Sequence, residues 1–129
     1  MDVKRALYQC LSGYAGLTAL VGSRIYPNRA PQNCTMPAVV YQQVTDRRTY
    51  TKDGYAGLAW PLFQISCYAE TYEQAEAVRA QVEAALHACL GKFDGLTVEA
   101  VRLEGSTDQF EDGSDLHRVL LQVRICCHQ

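Results

Sequence analysis

The sequence predicts an α+β fold: a mostly antiparallel sheet with a long helix and a short N-terminal helical segment packed on one face, and a long hairpin arm. Three observations predict it. Apolar residues recur at helical spacing at the start of the chain and again after Thr71. Runs of β-propensity with period-two alternation fill the stretches between and after them. These runs surround one long helix instead of alternating with several, the pattern of α+β and not of a parallel doubly wound sheet.

Asp2 can cap a first helix, in which Val3, Leu7, Cys10 and Leu11 share a stripe until Gly13 and Gly16 break it. Leu17, Leu20 and Val21 form a second short helical turn with Gly22 as its stop. Arg24-Ile25-Tyr26-Pro27 reads as a short extended piece, and Pro27, Pro31 and Pro37 bracket an irregular connection. Val39 to Val44 is a strand by propensity. Residues 45–57 are polar, contain the turn dipeptide Asp53-Gly54 and lie between two strands, so they read as the hairpin arm. The next strand runs from Leu58 to Ala69, with Phe63, Ile65 and Cys67 alternating against Leu62, Gln64, Ser66 and Tyr68. Pro61 cannot donate to a ladder, which puts the early part at an edge or outside the sheet.

Thr71-Tyr72-Glu73-Gln74 matches a capping box. Behind it Ala75, Val78, Val82, Ala85, Leu86 and Cys89 form one stripe of a helix that is predicted to end at Gly91, roughly 27 Å long at 1.5 Å per residue. Leu96 to Leu103 reads as a strand and Glu104 to Asp115 as an acidic loop. Leu116 to Cys127 is a last strand, with Val119, Leu121, Val123 and Ile125 on one face and Arg118, Leu120, Gln122 and Arg124 on the other.

The chain has 129 residues and a mass of 14.4 kDa, the size of a single domain spanning 1–129. Size scaling buries about two-thirds of the unfolded surface, enough for a core without staples. The chain is 48% hydrophobic and 20% charged, a globular and not a disordered composition. A net charge of −2 argues against a dedicated nucleic-acid binder. No apolar run reaches the roughly 18 residues of a membrane span. The N-terminus leads into an amphipathic pattern and not a secretory core, which predicts a reducing compartment.

The six cysteines sit at 10, 34, 67, 89, 126 and 127, with no C-x-x-C pair. Cys10, Cys67 and Cys89 are expected to act as small buried apolar residues. Cys126 and Cys127 would point to opposite faces of a strand and could not easily share a metal with His128. His87, His117 and His128 accompany no nucleophile signature, P-loop or H-E-x-x-H motif. The acids Glu104, Asp108, Glu111, Asp112 and Asp115 lack the ligand order of a calcium loop and read as solvated. The expectation is therefore no enzyme, no cofactor and no metal.

The arm carries Arg47, Arg48, Tyr50, Lys52 and Tyr55, and Arg and Tyr are favoured interface anchors on a connection too long for a tight turn. These residues are the candidate subunit or tube contacts. The mixed face of the last strand, Arg118, Leu120, Gln122 and Arg124, suits either a subunit contact or a water-facing sheet.

Leu17-Thr18-Ala19-Leu20-Val21-Gly22-Ser23-Arg24-Ile25-Tyr26-Pro27, then Ala30-Pro31-Gln32 and Pro37-Ala38-Val39-Val40-Tyr41-Gln42, resemble the tail-completion family of long-tailed bacteriophages. So do Phe63 to Ala69 running into Thr71-Tyr72-Glu73-Gln74-Ala75-Glu76, and Leu116 to Ile125. The resemblance covers nearly the whole chain, carries no active site, and leaves the acidic stretch and the cysteine-rich end outside its pattern. It implies a structural virion protein like the tail terminators of phages, prophages and gene transfer agents. Such a subunit forms a homo-hexameric ring at the head-proximal end of the tail, assembled in the bacterial host cytoplasm. Its partners would be copies of itself, the tail tube protein and a head connector or neck protein, with genome DNA passing through ungripped and no membrane involved. The alternative is a head-neck adaptor that binds a non-identical partner through the arm and sheet edge.

Overall fold

The computed structural model describes residues 2–45, 48–51, 54–93 and 95–128, with side chains for all of these except 48–51 and 54–58. Helix α1 spans Val3–Ser12 and α2 spans Ala15–Val21. The Asp2 carboxylate accepts the Arg5 amide at 2.9 Å, satisfying one of the orphan donors of the first turn. Gly22 ends α2 with φ 60, a conformation that costs a residue without a Cβ nothing. Strand β1 (Ile25–Pro27) runs parallel to β2 (Ala38–Thr45). The Arg24 guanidinium donates to the Pro37 carbonyl at 2.8 Å and to the Leu20 carbonyl at 3.4 Å, so one side chain ties the irregular connection to α2.

Beyond it come β3 (Arg48–Thr51), β4 (Gly54–Ala59) and β5 (Leu62–Ala69). The predicted strand from Leu58 is interrupted at Trp60-Pro61, where the proline has no amide to give. β4 pairs with β3 and touches the main sheet only at Leu58 opposite His128 and Ala59 opposite Cys127. Helix α3 (Tyr72–His87) starts on Thr71, whose hydroxyl accepts the Gln74 amide at 3.2 Å. It stops at His87 and not at Gly91, because Cys89 turns inward to 2% exposure while its amide bonds the Leu86 carbonyl. The remaining strands are β6 (Gly91–Phe93), β7 (Leu96–Glu111) and β8 (Leu116–His128).

β5 pairs with β2 on one edge and β8 on the other, and β8 in turn pairs with β7, which carries β6. Among the described residues only β1–β2 is parallel, so the class is the predicted α+β with a mostly antiparallel sheet. The inner face presents Val39 and Tyr41, then Phe63, Ile65 and Cys67, then Val119, Leu121, Val123 and Ile125 to the helices. The helices answer with Leu7, Leu11, Leu17 and Val21 and with Ala75, Val78, Val82, Ala85 and Leu86. Each large apolar side chain buried there is worth roughly 1.5–3 kcal/mol of transfer free energy. On α3's outer side Arg79 bonds Glu76 at 3.0 Å and Glu83 at 2.7 Å.

Two expectations are corrected. Glu104 to Asp115 is not a loop. β7 continues through Glu111, which faces Leu116 on β8, and the turn shrinks to Asp112–Asp115 with Asp115 at φ 55. Its residues are exposed on both faces, so no alternation marks them, yet the β8 backbone supplies their ladder partners. Second, Cys10 and Cys89 are not separate apolar fillers. They form a disulfide across 79 positions of sequence, with Cα atoms 5.6 Å apart, joining the end of α1 to the segment after α3. Cys67 behaves as expected: it is fully buried, and that burial pushes its thiol up to about 12.

Two outcomes follow from this packing. Replacing Cys10 and Cys89 by Ser should cost about 4.5 kcal/mol, the loop-closure entropy of a link across 79 positions; a denaturant titration measures it. Cys67 should resist iodoacetamide in the native protein and react only on unfolding. Its unfolded thiol ionises near 9.0 and its folded thiol near 12, so its contribution to stability is full below pH 9 and declines as pH rises toward 12. Melting curves at rising pH check the sign against a Cys67→Ala control.

Candidate assembly surfaces

The outer face of the sheet is set by the period-two geometry of β8. Register places Arg118 between Tyr68 and Gln109, Leu120 between Ser66 and Thr107, Gln122 between Gln64 and Gly105, and Arg124 between Leu62 and Arg102. All four β8 residues are half-buried. Arg118 donates through Nε to the Ser66 hydroxyl at 3.1 Å and through Nη1 to the Gln109 side-chain carbonyl at 3.2 Å. Its guanidinium carbon sits 5.6 Å from the centre of the Tyr68 ring, within cation–π range. Arg124 pairs with Glu104 at 2.7 Å and donates to the Trp60 carbonyl at 2.9 Å. Two arginines are thus pinned at either end of a strip holding Leu120 and Gln122. A partner docking here has little side-chain entropy left to remove.

The described arm residues lie on other strands than this face. Arg48, Tyr50 and Tyr55 lie on the β3–β4 hairpin, with Tyr50 directly opposite Tyr55. Arg47 and Lys52 lie outside the described residues. Among the described residues, β4 before Leu58 pairs only with β3, so the hairpin runs past the end of β8. Arm and sheet face are therefore two separate surfaces.

A third surface was missed by sequence reasoning. Among the described residues the outer edge of β7 is covered by β6 only from Leu96 to Val98, so Glu99 to Glu111 is paired on one side alone. Phe110 is 51% exposed and Tyr72 46%, and both ring systems pack on His117, at 4.9 and 6.2 Å between centroids. The Tyr72 hydroxyl donates to Asp108 at 3.5 Å, and the charge of Asp108, with that of Glu76 behind it, pushes the Tyr72 hydroxyl up. The available signal was the Asp112-Gly113 dipeptide, a tight-turn marker between two stretches free of proline.

The histidines do not converge. His87 is exposed at the end of α3, His117 belongs to the aromatic cluster, and His128 pairs with Glu99 at 2.6 Å. Among the described residues no group of three or more His, Cys, Asp or Glu is placed to hold a metal ion, and no helix is long and apolar enough to cross a membrane. A cleft of about 510 Å³ lies under the β1–β2 connection, lined by Arg29, Cys34, Tyr68, Glu70 and Glu111 among others. No histidine lines it, and the Cys34 thiol is engaged with the Tyr26 hydroxyl at 3.5 Å and the Thr35 carbonyl at 3.3 Å. Ordered polar side chains lie on the outer sheet face, at Arg118 and Arg124, and on α3, at Arg79.

A family model described as "Tail completion protein gp17" matches residues 5–128. The chain belongs to that tail-completion family, and it is a phage-type tail structural protein of the virion. A chain from the solved structure "Virion of native gene transfer agent (GTA) particle" has the same fold, with a TM-score of 0.74 and 24% identity; the match covers 98% of this chain and 95% of that one. No curated protein matches the sequence.

Asp108→Asn should bring the Tyr72 hydroxyl back toward its ordinary 10.0, because the largest contribution to its shift is removed. A pH titration of the Tyr72 ring resonances by NMR measures the change.

Proposed function

We propose that the chain is a tail terminator: a subunit of a sixfold ring at the head-proximal end of the tail tube. There it stops tube polymerisation and presents a surface to the head connector. The observation that carries this reading is the pair of dissimilar surfaces, a preordered sheet face at Arg118–Arg124 and a hairpin arm leaving the far end of β8. A closed ring needs two different complementary patches on each subunit. At about 800 Å² per patch, two patches take roughly a fifth of the surface, which totals 7196 Å².

In this reading Arg47, Arg48, Tyr50, Lys52 and Tyr55 reach a neighbouring subunit or the tube. Arg118, Leu120, Gln122 and Arg124 receive a second contact. The partners are copies of the chain, the tail tube protein and the head connector. Genome DNA passes through ungripped, and a net charge of −2 suits a lumen that does not attract phosphate.

Tails assembled without the protein should have uncontrolled length in electron micrographs. Tails of normal length that fail to join heads would move the role to a neck adaptor. If the arm lies at the surface as proposed, replacing Arg47, Arg48 and Tyr50 together by Ala should change stability by no more than about 1.5 kcal/mol, about 0.5 kcal/mol for each surface substitution. The same variant should abolish rings on tube ends, scored by negative-stain microscopy beside a melting curve.

A further inference from the structure

We infer that Cys10 and Cys89 form a timed covalent staple: two thiols while the protein is inside the reducing cell, closed by exchange with a small-molecule disulfide after the particle is released. The inference rests on the chain being a particle component that leaves the cell. It starts from an asymmetry in the bonded pair. Cys10 is half-buried and lines a hollow of about 200 Å³ with Gln9, Gly13, Tyr14, Ala85 and Phe93. Cys89 is 2% exposed and does not line that hollow. Of the two, Cys10 is the one that borders the hollow, so a reagent is proposed to meet Cys10 first and Cys89 through it.

The chemistry balances with a disulfide of the glutathione class, RSSR, as the oxidant. The Cys10 thiolate attacks one sulfur of RSSR, forming a mixed disulfide and expelling RS⁻. The Cys89 thiolate then attacks the Cys10 sulfur, forming the Cys10–Cys89 bond and expelling the second RS⁻. The two protons lost by the cysteines end on two RSH molecules, and the two electrons lost by the pair reduce RSSR. A reducing cytoplasm holds this equilibrium on the thiol side, and an oxidising exterior draws it over.

Burial keeps Cys67, Cys126 and Cys127 from exchange, and the half-buried Cys34 has no second cysteine among the described residues to close a ring with. Cys67 lies at 0% exposure in the core, where burial holds its thiol protonated. Cys126 is buried on the outer face of β8, with its thiol pushed up by burial and by Glu99. Cys34 sits on the β1–β2 connection and bonds Tyr26 and Thr35. The bond that forms spans the end of α1 and the segment between α3 and β6. Short of it, α1 is held by the burial of Ala6, Leu7 and Leu11. Closure thus converts a docked helix into a tethered one once the particle has left the cell.

Thiols of the wild-type protein should be trapped with iodoacetamide at the moment of cell disruption and, separately, in purified released particles, then mapped by mass spectrometry. The expected result is alkylated Cys10 and Cys89 inside the cell and a Cys10–Cys89 linked peptide in particles. A linked pair already inside the cell, or alkylated Cys10 and Cys89 in particles, overturns the inference. Absence of the protein from particles overturns instead the reading on which it rests. Reaction order is tested with the full-length chain and oxidised glutathione. Cys89→Ser should retain a mixed disulfide on Cys10, and Cys10→Ser should leave Cys89 unmodified. Equal modification of both positions would overturn the assigned order, and the wild-type trapping stands even if one variant folds poorly.

Discussion

β8 is hydrogen-bonded along both edges, to β5 and the end of β4 on one side and to β7 on the other, and that double pairing constrains the rest of the molecule. A strand paired on both sides cannot slip by one residue without carrying Val119, Leu121, Val123 and Ile125 out of the core and Arg118 and Arg124 into it. One register therefore decides the inner face that α3 covers and the outer face that the arginines decorate. The partner strands inherit the same phase. Phe63, Ile65 and Cys67 face inward because their opposite numbers on β8 do, and Ser66 and Tyr68 meet Arg118 for the same reason.

The outer face of the sheet is held in one arrangement. Arg118 and Arg124 each have more than one protein partner, so their charges are fixed in place there. The β3–β4 hairpin leaves the sheet beyond Leu58, and the long edge of β7 has exposed Phe110 beside it. The chain carries these features as a member of the tail-completion family.

The helical layer serves the sheet. α3 spans β5 and β8, and α1 and α2 pack against α3. The Cys10–Cys89 bond closes this layer at the end of α3 where Leu90 turns out to solvent and Gly91 leads into β6. It joins positions 79 apart in sequence, and a covalent link across so long a loop removes much freedom from the unfolded chain.

Much of this architecture was legible in local chemistry. Asp2 and Thr71 announced helix starts, since a side-chain oxygen one step before an apolar stripe satisfies free amides. The alternation in Phe63–Ala69 and Leu116–Cys127 exposed two strands and even which face of each is buried, because a pleat repeats every two residues. Pro61 marked a break because it lacks an amide. The four outer-face residues of β8 were readable for the same reason as the core. Other features depended on contacts that no local pattern encodes. Glu104 to Glu111 became a strand because β8 lends it hydrogen-bond partners, while solvent on both faces removes the alternation that would have revealed it. Cys10 and Cys89 became one bond because helix packing brings them together from 79 positions apart. Short-range periodicity and capping are properties of neighbouring residues, and these the sequence determined by itself. Long-range pairing depends on which surfaces the folded chain presses together, and that only the tertiary structure decided.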